Sequence, residues 1–249
     1  MCLHVPVTSK LRLSHVPVTS KYHLSTLKVT GTCLKKMTIN LNDIEIQLKK
    51  RLIYPYKWGR KQNDQFDNLT NFIYRTFLFD DVIKEINSRF KKDEEHRNIS
   101  NYALNRWYNF WSAQAIEKIF CTLPNVKPAL DSRNRLVDFT IDGVTFDHKT
   151  SVFPKNFPYP IKDAVKKTDE LIKWLYKHQS QQQRKHLKNR LFVVLYSPDG
   201  EHWKLKAEIS WLKERIEKYM VGFNPNYLLK FHLEKGHYTL ADVIWAVKV

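Results

Sequence analysis

The sequence predicts a mixed α/β fold, and three observations carry that expectation. Apolar residues recur at helical spacing from Asn40 to Phe90, and again from about Ser100 to Phe120. The period then changes, and residues 135 to 149 alternate about a central Asp142-Gly143. A helical stretch over 161 to 178 then leads into the continuous apolar run LFVVLY from Leu191. Helices, strands, helix and strand in that order suit an α/β domain with a mixed sheet.

The chain opens on a repeat. HVPVTSK at 4 to 10 returns unchanged at 15 to 21, and Val29-Thr30 fall one further period along. A unit this short, with a proline in two copies and no wide apolar face, builds no stacked repeat fold. Residues 1–36 therefore read as a disordered leader, either a DNA repeat translated from upstream of the true start or a genuine flexible tail, with Met37 expected to start the folded protein. Residues 37–100 read as a helical region packed on the core, opened by Ile44, Ile46, Leu48 and Leu52 and continued by Phe66, Leu69, Phe72 and Ile73. Leu104, Trp107, Tyr108, Trp111, Ala115 and Ile119 form a broad apolar face on the next helix. Residues 101–249 read as the core with a C-terminal α/β extension. In it a first strand is expected near 125 to 130 despite Pro128, a buried strand at 191 to 197, a helix near 206 to 220, and strands near 227 to 233 and 241 to 248.

Composition narrows the function. With 43% hydrophobic and 13% aromatic residues the chain can bury a real core. No apolar run approaches the roughly 18 residues of a membrane span. The three cysteines show no CxxC spacing, which argues against a disulfide framework or zinc site and suits a reducing cytoplasm. The net charge of +17 favours a polyanionic partner. Six of the 42 Lys and Arg lie in the leader, so the body keeps 36 against 25 Asp and Glu. No Walker lysine loop, HExxH or histidine-rich nuclease pattern appears.

Asp-Gly between alternating runs is a strong signal for a two-residue type I′ hairpin, because both turn positions need positive φ. Pairing Ile141 with Val144 sets Asp138 opposite Asp147. Alternation then places Asp138, Thr140, Thr145, Asp147 and Lys149 on one face, and Val137, Phe139, Ile141, Val144, Phe146 and His148 on the core face. Two carboxylates about 4.5 to 5.5 Å apart at Cβ repel each other. A divalent cation such as Mg²⁺, which prefers carboxylate oxygen, would remove that repulsion. Lys149 on the same face could then hold or help deprotonate an attacking water. A solvent-facing hairpin with surface acids is the plainer alternative.

The run VDFTIDGVTFDHK resembles the second and third motifs of the PD-(D/E)xK, restriction-endonuclease-like nucleases. Val137 stands where the eponymous proline would be, and the middle acid is Asp. The resemblance spans roughly 101 to 197 and implies an αβββαβ core and Mg²⁺-dependent DNA cleavage, with Mn²⁺ as a substitute. It further implies metal ligation by Asp138, Asp147 and the His148 carbonyl, catalysis by Lys149, and Glu117 in AQAIEKIF as an accessory acid.

Several cations are candidates for DNA contact. Lys155 and Lys162 follow the hairpin, and Gln183, Arg184 and Lys185 lie in the polar cluster SQQQRKHLKNR, which could also be a solvated connector. The expected function is a cytoplasmic deoxyribonuclease acting on double-stranded DNA, most naturally a type II restriction enzyme that could work as a homodimer. A repair, phage or mobile-element nuclease of that fold is an alternative, as is a non-catalytic DNA-binding protein.

Overall fold

Asn40 starts the first helix of the computed structural model, which describes residues 39–58, 65–92, 95–129, 137–178, 188–234 and 236–248. The leader expected at 1–36 and the candidates Gln183, Arg184 and Lys185 lie outside the described residues. The Asn40 side chain accepts the Asp43 N–H at 2.7 Å, an N-cap, and α1 (Leu41–Lys50) buries Ile44 and Leu48. The short α2 (Gln65–Leu69) and α3 (Phe79–Phe90) follow, the latter burying Val82, Ile86 and Phe90. The helical reading of 40 to 90 is thus met as short pieces.

The central element is α4 (His96–Cys121), 26 residues long. It begins earlier than its sequence pattern suggests, and its buried residues surround it: Ile99, Tyr102, Leu104, Trp107, Tyr108, Trp111, Ala115, Ile116 and Phe120. A helix apolar on all sides is covered on all sides. Here α1 and α3 pack on one flank, and a sheet and a later helix cover the other.

That sheet has six strands in the order β1-β2-β3-β4-β6-β5. β1 (Val126–Pro128), β2 (Phe139–Ile141) and β3 (Val144–Val152) form an antiparallel meander. Pro128 is tolerated because β1 is an edge strand. The crossover helices α5 (Ile161–Ala164) and α6 (Thr168–His178) bring β4 (Arg190–Tyr196) back parallel to β3. The single helix expected over 161 to 178 is interrupted at 165–167, where the Lys167 N–H reaches the Asp163 and Ala164 carbonyls. The final helix is α7 (Ile209–Val221), and β5 (Leu229–Glu234) and β6 (His237–Val247) close the sheet, with β6 parallel to β4.

β4 is buried on both faces, as expected for a central parallel strand. Leu191, Val193 and Leu195 join Phe139, Phe146 and Ile244 under α4 and α7. Phe192 and Val194 pack with Leu171, Ile172 and Leu175 of α6. Among the described residues no helix is long and apolar enough to cross a membrane.

Two buried charges tie the N-terminal helices to this core. Arg51, fully buried at the end of α1, donates to the carbonyls of Tyr54 (2.6 Å) and Pro55 (3.0 Å) and to Asn105 Oδ1 of α4 (2.5 Å). Glu45 of α1 accepts the Ser210 N–H (2.7 Å) and hydroxyl (2.5 Å), capping α7 from outside its own chain segment. Burial alone would raise the Glu45 carboxyl, but the Lys49 and Ser210 hydrogen bonds outweigh it and hold it below the usual range. A carboxyl lowered in the folded state stabilises above its unfolded pKa of about 4.3, and the benefit disappears as pH falls through the folded value. Glu45→Gln is accordingly expected to cost about 1–2 kcal/mol at pH 7, a cost that shrinks as pH falls from about 4.3 through the lowered folded value, as read from urea melts across that range.

Candidate active site

The hairpin forms with the expected turn. Asp142 has φ 47° and Gly143 φ 85°, the two positive values of a type I′ reversal. Ile141 pairs with Val144, Thr140 with Thr145 and Phe139 with Phe146. Phe139, Ile141, Phe146 and His148 face the core.

One residue further, the β2–β3 ladder ends. The Asp138 N–H donates to the Phe146 carbonyl (2.9 Å), while the Asp147 N–H points across to the Asn189 carbonyl beside β4 (3.0 Å). The His148 N–H therefore faces the β2 edge, where among the described residues no main-chain carbonyl accepts it. The Asp138 carboxylate supplies the acceptor: its Oδ2 lies 2.8 Å from the His148 nitrogen and 2.6 Å from the His148 Nδ1. That places the Asp138 side chain at the strand edge, near enough to Asp147 for its charge to raise the Asp147 carboxyl. The structure thus brings the two predicted acids together.

Each acid has a protein partner. Asp147 Oδ2 accepts from Arg190 Nε at 2.6 Å, across the β3–β4 register that pairs these two residues. Asp138 has the His148 ring, which is buried and stacked on Phe139 with 6.0 Å between centroids. These partners offset part of the repulsion for which the sequence alone suggested a metal ion.

Burial pushes all four groups toward neutrality, and their neighbours decide the outcome. For Asp138, burial is outweighed by the His148 hydrogen bonds and charge, and its carboxyl lies below the usual aspartate range. For Asp147, burial wins: Arg190 opposes it, the Asp138 charge reinforces it, and the carboxyl is raised. Burial would lower His148, but Asp138 above all, then Asp147 and Glu117, raise it. Lys149 has an exposed surface, yet protein around it lowers its ammonium; Asp147 resists that shift, and Arg190 and Lys206 add to it.

Glu117 is half-buried on α4, accepts from Gln114 Nε2 at 3.2 Å, and lies close enough to raise His148, so it belongs to the neighbourhood. Lys155 and Lys162 are exposed beyond the C-terminal end of β3. Val152 ends that strand about 16 Å past Asp147, and both lysines follow it in the crossover to β4.

Sequence reasoning did not place Arg190 beside the acids; it set the residue in the polar cluster read as a DNA contact or a solvated connector. It lies immediately before the buried run LFVVLY, and the parallel β3–β4 register that sets it against Asp147 is a long-range pairing without a local signal. Lys206 was also missed. It sits in the 3-10 turn His202–Ala207, donates to Asn109 Oδ1 at 2.6 Å, and is remote in sequence from the hairpin.

The donor set can be tested against a divalent ion. Among the described residues no group of three or more His, Cys, Asp or Glu is placed to hold a metal. Two adjoining carboxylates, 24% and 19% exposed at their side chains, nonetheless suit Mg²⁺, which is commonly bound by one or two carboxylates with water and substrate phosphate completing its shell. Asp138 and Asp147 are the residues that would hold it, with the His148 carbonyl as a third oxygen. No protein-family model, curated protein or solved structure matches the chain.

Proposed function

We propose that the chain is a metal-dependent phosphodiesterase acting on DNA. The observation that carries this reading is the end of the β2–β3 ladder, where the Asp138 carboxylate accepts the N–H of His148, the residue next to Asp147, with Lys149 one strand repeat beyond Asp147. Within that class the particular role we assign is an endonuclease of the type II restriction kind. The order of α4, β1, β2, β3, α6 and β4 supports it, being the αβββαβ arrangement that the hairpin motif implies for restriction-endonuclease-like nucleases. The charge of +17 suits a duplex DNA partner.

The residues divide the work. Asp138 and Asp147 hold the ion, and His148 orients Asp138 through two hydrogen bonds to one oxygen. Mg²⁺ bound there supplies Lewis-acid polarisation of the scissile phosphodiester. Lys149, lowered by burial, is suited to position an attacking water and share its proton. Glu117 adds negative charge behind His148. Two copies of the chain would cut both strands.

A second reading, a non-catalytic DNA-binding protein, is favoured by one observation: both acids already have protein partners, the His148 ring for Asp138 and the Arg190 guanidinium for Asp147. Supercoiled plasmid incubated with the protein and Mg²⁺ separates the two. The nuclease reading expects nicked and linear products that EDTA abolishes. Salt-sensitive retention of DNA without any strand break would instead establish the binding reading.

A further inference from the structure

A parallel register has no turn to fix it. The Asp142-Gly143 reversal sets β2 against β3, whereas β4 returns to β3 through the crossover that carries α5 and α6. The strand itself gives little help, because Leu191 to Leu195 are all apolar and buried. A slip of two residues would keep every side chain on its face and exchange one apolar residue for another. It would also carry Arg190 about 6.6 Å along β3, away from Asp147. Asn189 lies where the β2–β3 ladder ends and the β3–β4 ladder begins, and its carbonyl accepts the Asp147 N–H at 3.0 Å. Its side-chain Nδ2 donates to the Thr145 carbonyl of β3 at 3.2 Å, and its Oδ1 accepts the Leu240 N–H of β6 at 2.8 Å. A carbonyl only accepts and a main-chain N–H only donates, so these partners demand a donor and an acceptor on one short planar group, which a primary amide provides.

We propose that Asn189 is a positioning residue: it locks β4 between β3 and β6 in the one register that sets the Arg190 guanidinium against the Asp147 carboxylate. That register pairs Arg190 with Asp147 on one side and with Ala241 on the other. Two consecutive residues then hold Asp147, Asn189 at its N–H and Arg190 at its carboxylate, where Nε lies 2.6 Å from Oδ2. The consequence for catalysis rests on the nuclease reading above, in which Asp147 holds the ion. Asn189 acts there through the strand, and a displacement of about 1 Å in a ligand is enough to slow a reaction about a hundredfold.

The test compares the full chain with Asn189→Ala and with Asn189→Gln, which keeps the amide on a stem one methylene longer. The Arg190 Nε–H signal, assigned by its loss in Arg190→Lys, is followed by ¹⁵N nuclear magnetic resonance without metal or DNA. In wild type that proton, bonded to Asp147, is expected downfield of exposed arginines and slow to exchange. In Asn189→Ala it should move toward the exposed position and exchange at least about tenfold faster, with Asn189→Gln in between. The melting temperature should fall by about 4–8 °C, the size expected for two lost hydrogen bonds. Duplex binding in EDTA, read by fluorescence anisotropy, should match wild type, while single-turnover cleavage in Mg²⁺ slows about 10- to 100-fold. A merely structural asparagine would lower the melting temperature and leave the Arg190 signal unmoved. An unmoved signal in folded Asn189→Ala, or in Asn189→Gln should the alanine variant not fold, would overturn the proposal and leave the nuclease reading intact. A signal displaced as expected, in a chain whose wild type cuts no DNA with Mg²⁺, would uphold the register and overturn the nuclease reading.

Discussion

Asp147→Asn is expected to leave the protein folded while lowering Mg²⁺-dependent DNA cleavage by about a thousandfold, and the choice of asparagine matters. Arg190 is buried and donates to Asp147 at 2.6 Å. Alanine would leave it beside an empty space at a cost of about 3–5 kcal/mol, and lost activity could then be blamed on lost structure. Asparagine keeps an acceptor oxygen for Arg190 Nε and removes only the charge. A Lewis-acid ion contributes several kcal/mol to a phosphoryl transition state. At about 1.36 kcal/mol per tenfold, weakening its site this way amounts to about 10³ in rate. Lys149→Ala is the companion variant. Its side chain reaches solvent, so melting should shift little, whereas loss of acid–base help should slow cleavage by about 10²–10⁴. Single-turnover cleavage and thermal melts of both variants decide the matter, and full activity in either would show the chemistry to lie elsewhere.

The largest effect on stability is expected at Arg51. Burial lowers its guanidinium to about 10, which still leaves it charged at neutral pH. Two carbonyls and the Asn105 side chain receive its protons, the Tyr56 and Trp203 rings lie 5.9 and 5.6 Å from it, and its Nε has no hydrogen-bond partner among the described residues. Arg51→Ala removes the donors and opens a cavity between α1, α4 and the 3-10 turn His202–Ala207, for about 3–5 kcal/mol out of a typical total of 5–15. Arg51→Met refills the space and leaves the acceptors unmet, for about 1–3 kcal/mol. Urea melts should rank wild type above Arg51→Met above Arg51→Ala. An alanine variant within about 1 kcal/mol of wild type would show that the buried charge adds nothing net.

Legibility in the sequence followed the range of the interaction. Asp142-Gly143 announced the turn, and a two-residue turn fixes register, so the pairings from Ile141–Val144 to Phe139–Phe146 followed from local chemistry. The run LFVVLY showed a doubly buried strand because nothing polar interrupts it. The end of the ladder was not legible. Where β2 stops depends on β1 and β4, so sequence placed Asp138 opposite Asp147 without showing that its carboxylate would serve as acceptor for the His148 N–H. Arg190 and Lys206 come to the site through a parallel crossover and a distant 3-10 turn, and pairing at that range leaves no periodic trace. Glu45 was invisible for the same reason: a cap supplied by α1 to α7 joins residues 165 positions apart.

The claim that the paired acids form a cation site is tested most directly by nuclear magnetic resonance of the isotope-labelled protein with substoichiometric Mn²⁺, whose paramagnetism broadens nearby amide signals. Broadening that begins at Asp138, Asp147, His148 and Lys149, and that Asp138→Asn suppresses, is the expected result. Broadening that begins elsewhere, or that is unchanged in Asp138→Asn, would contradict the account.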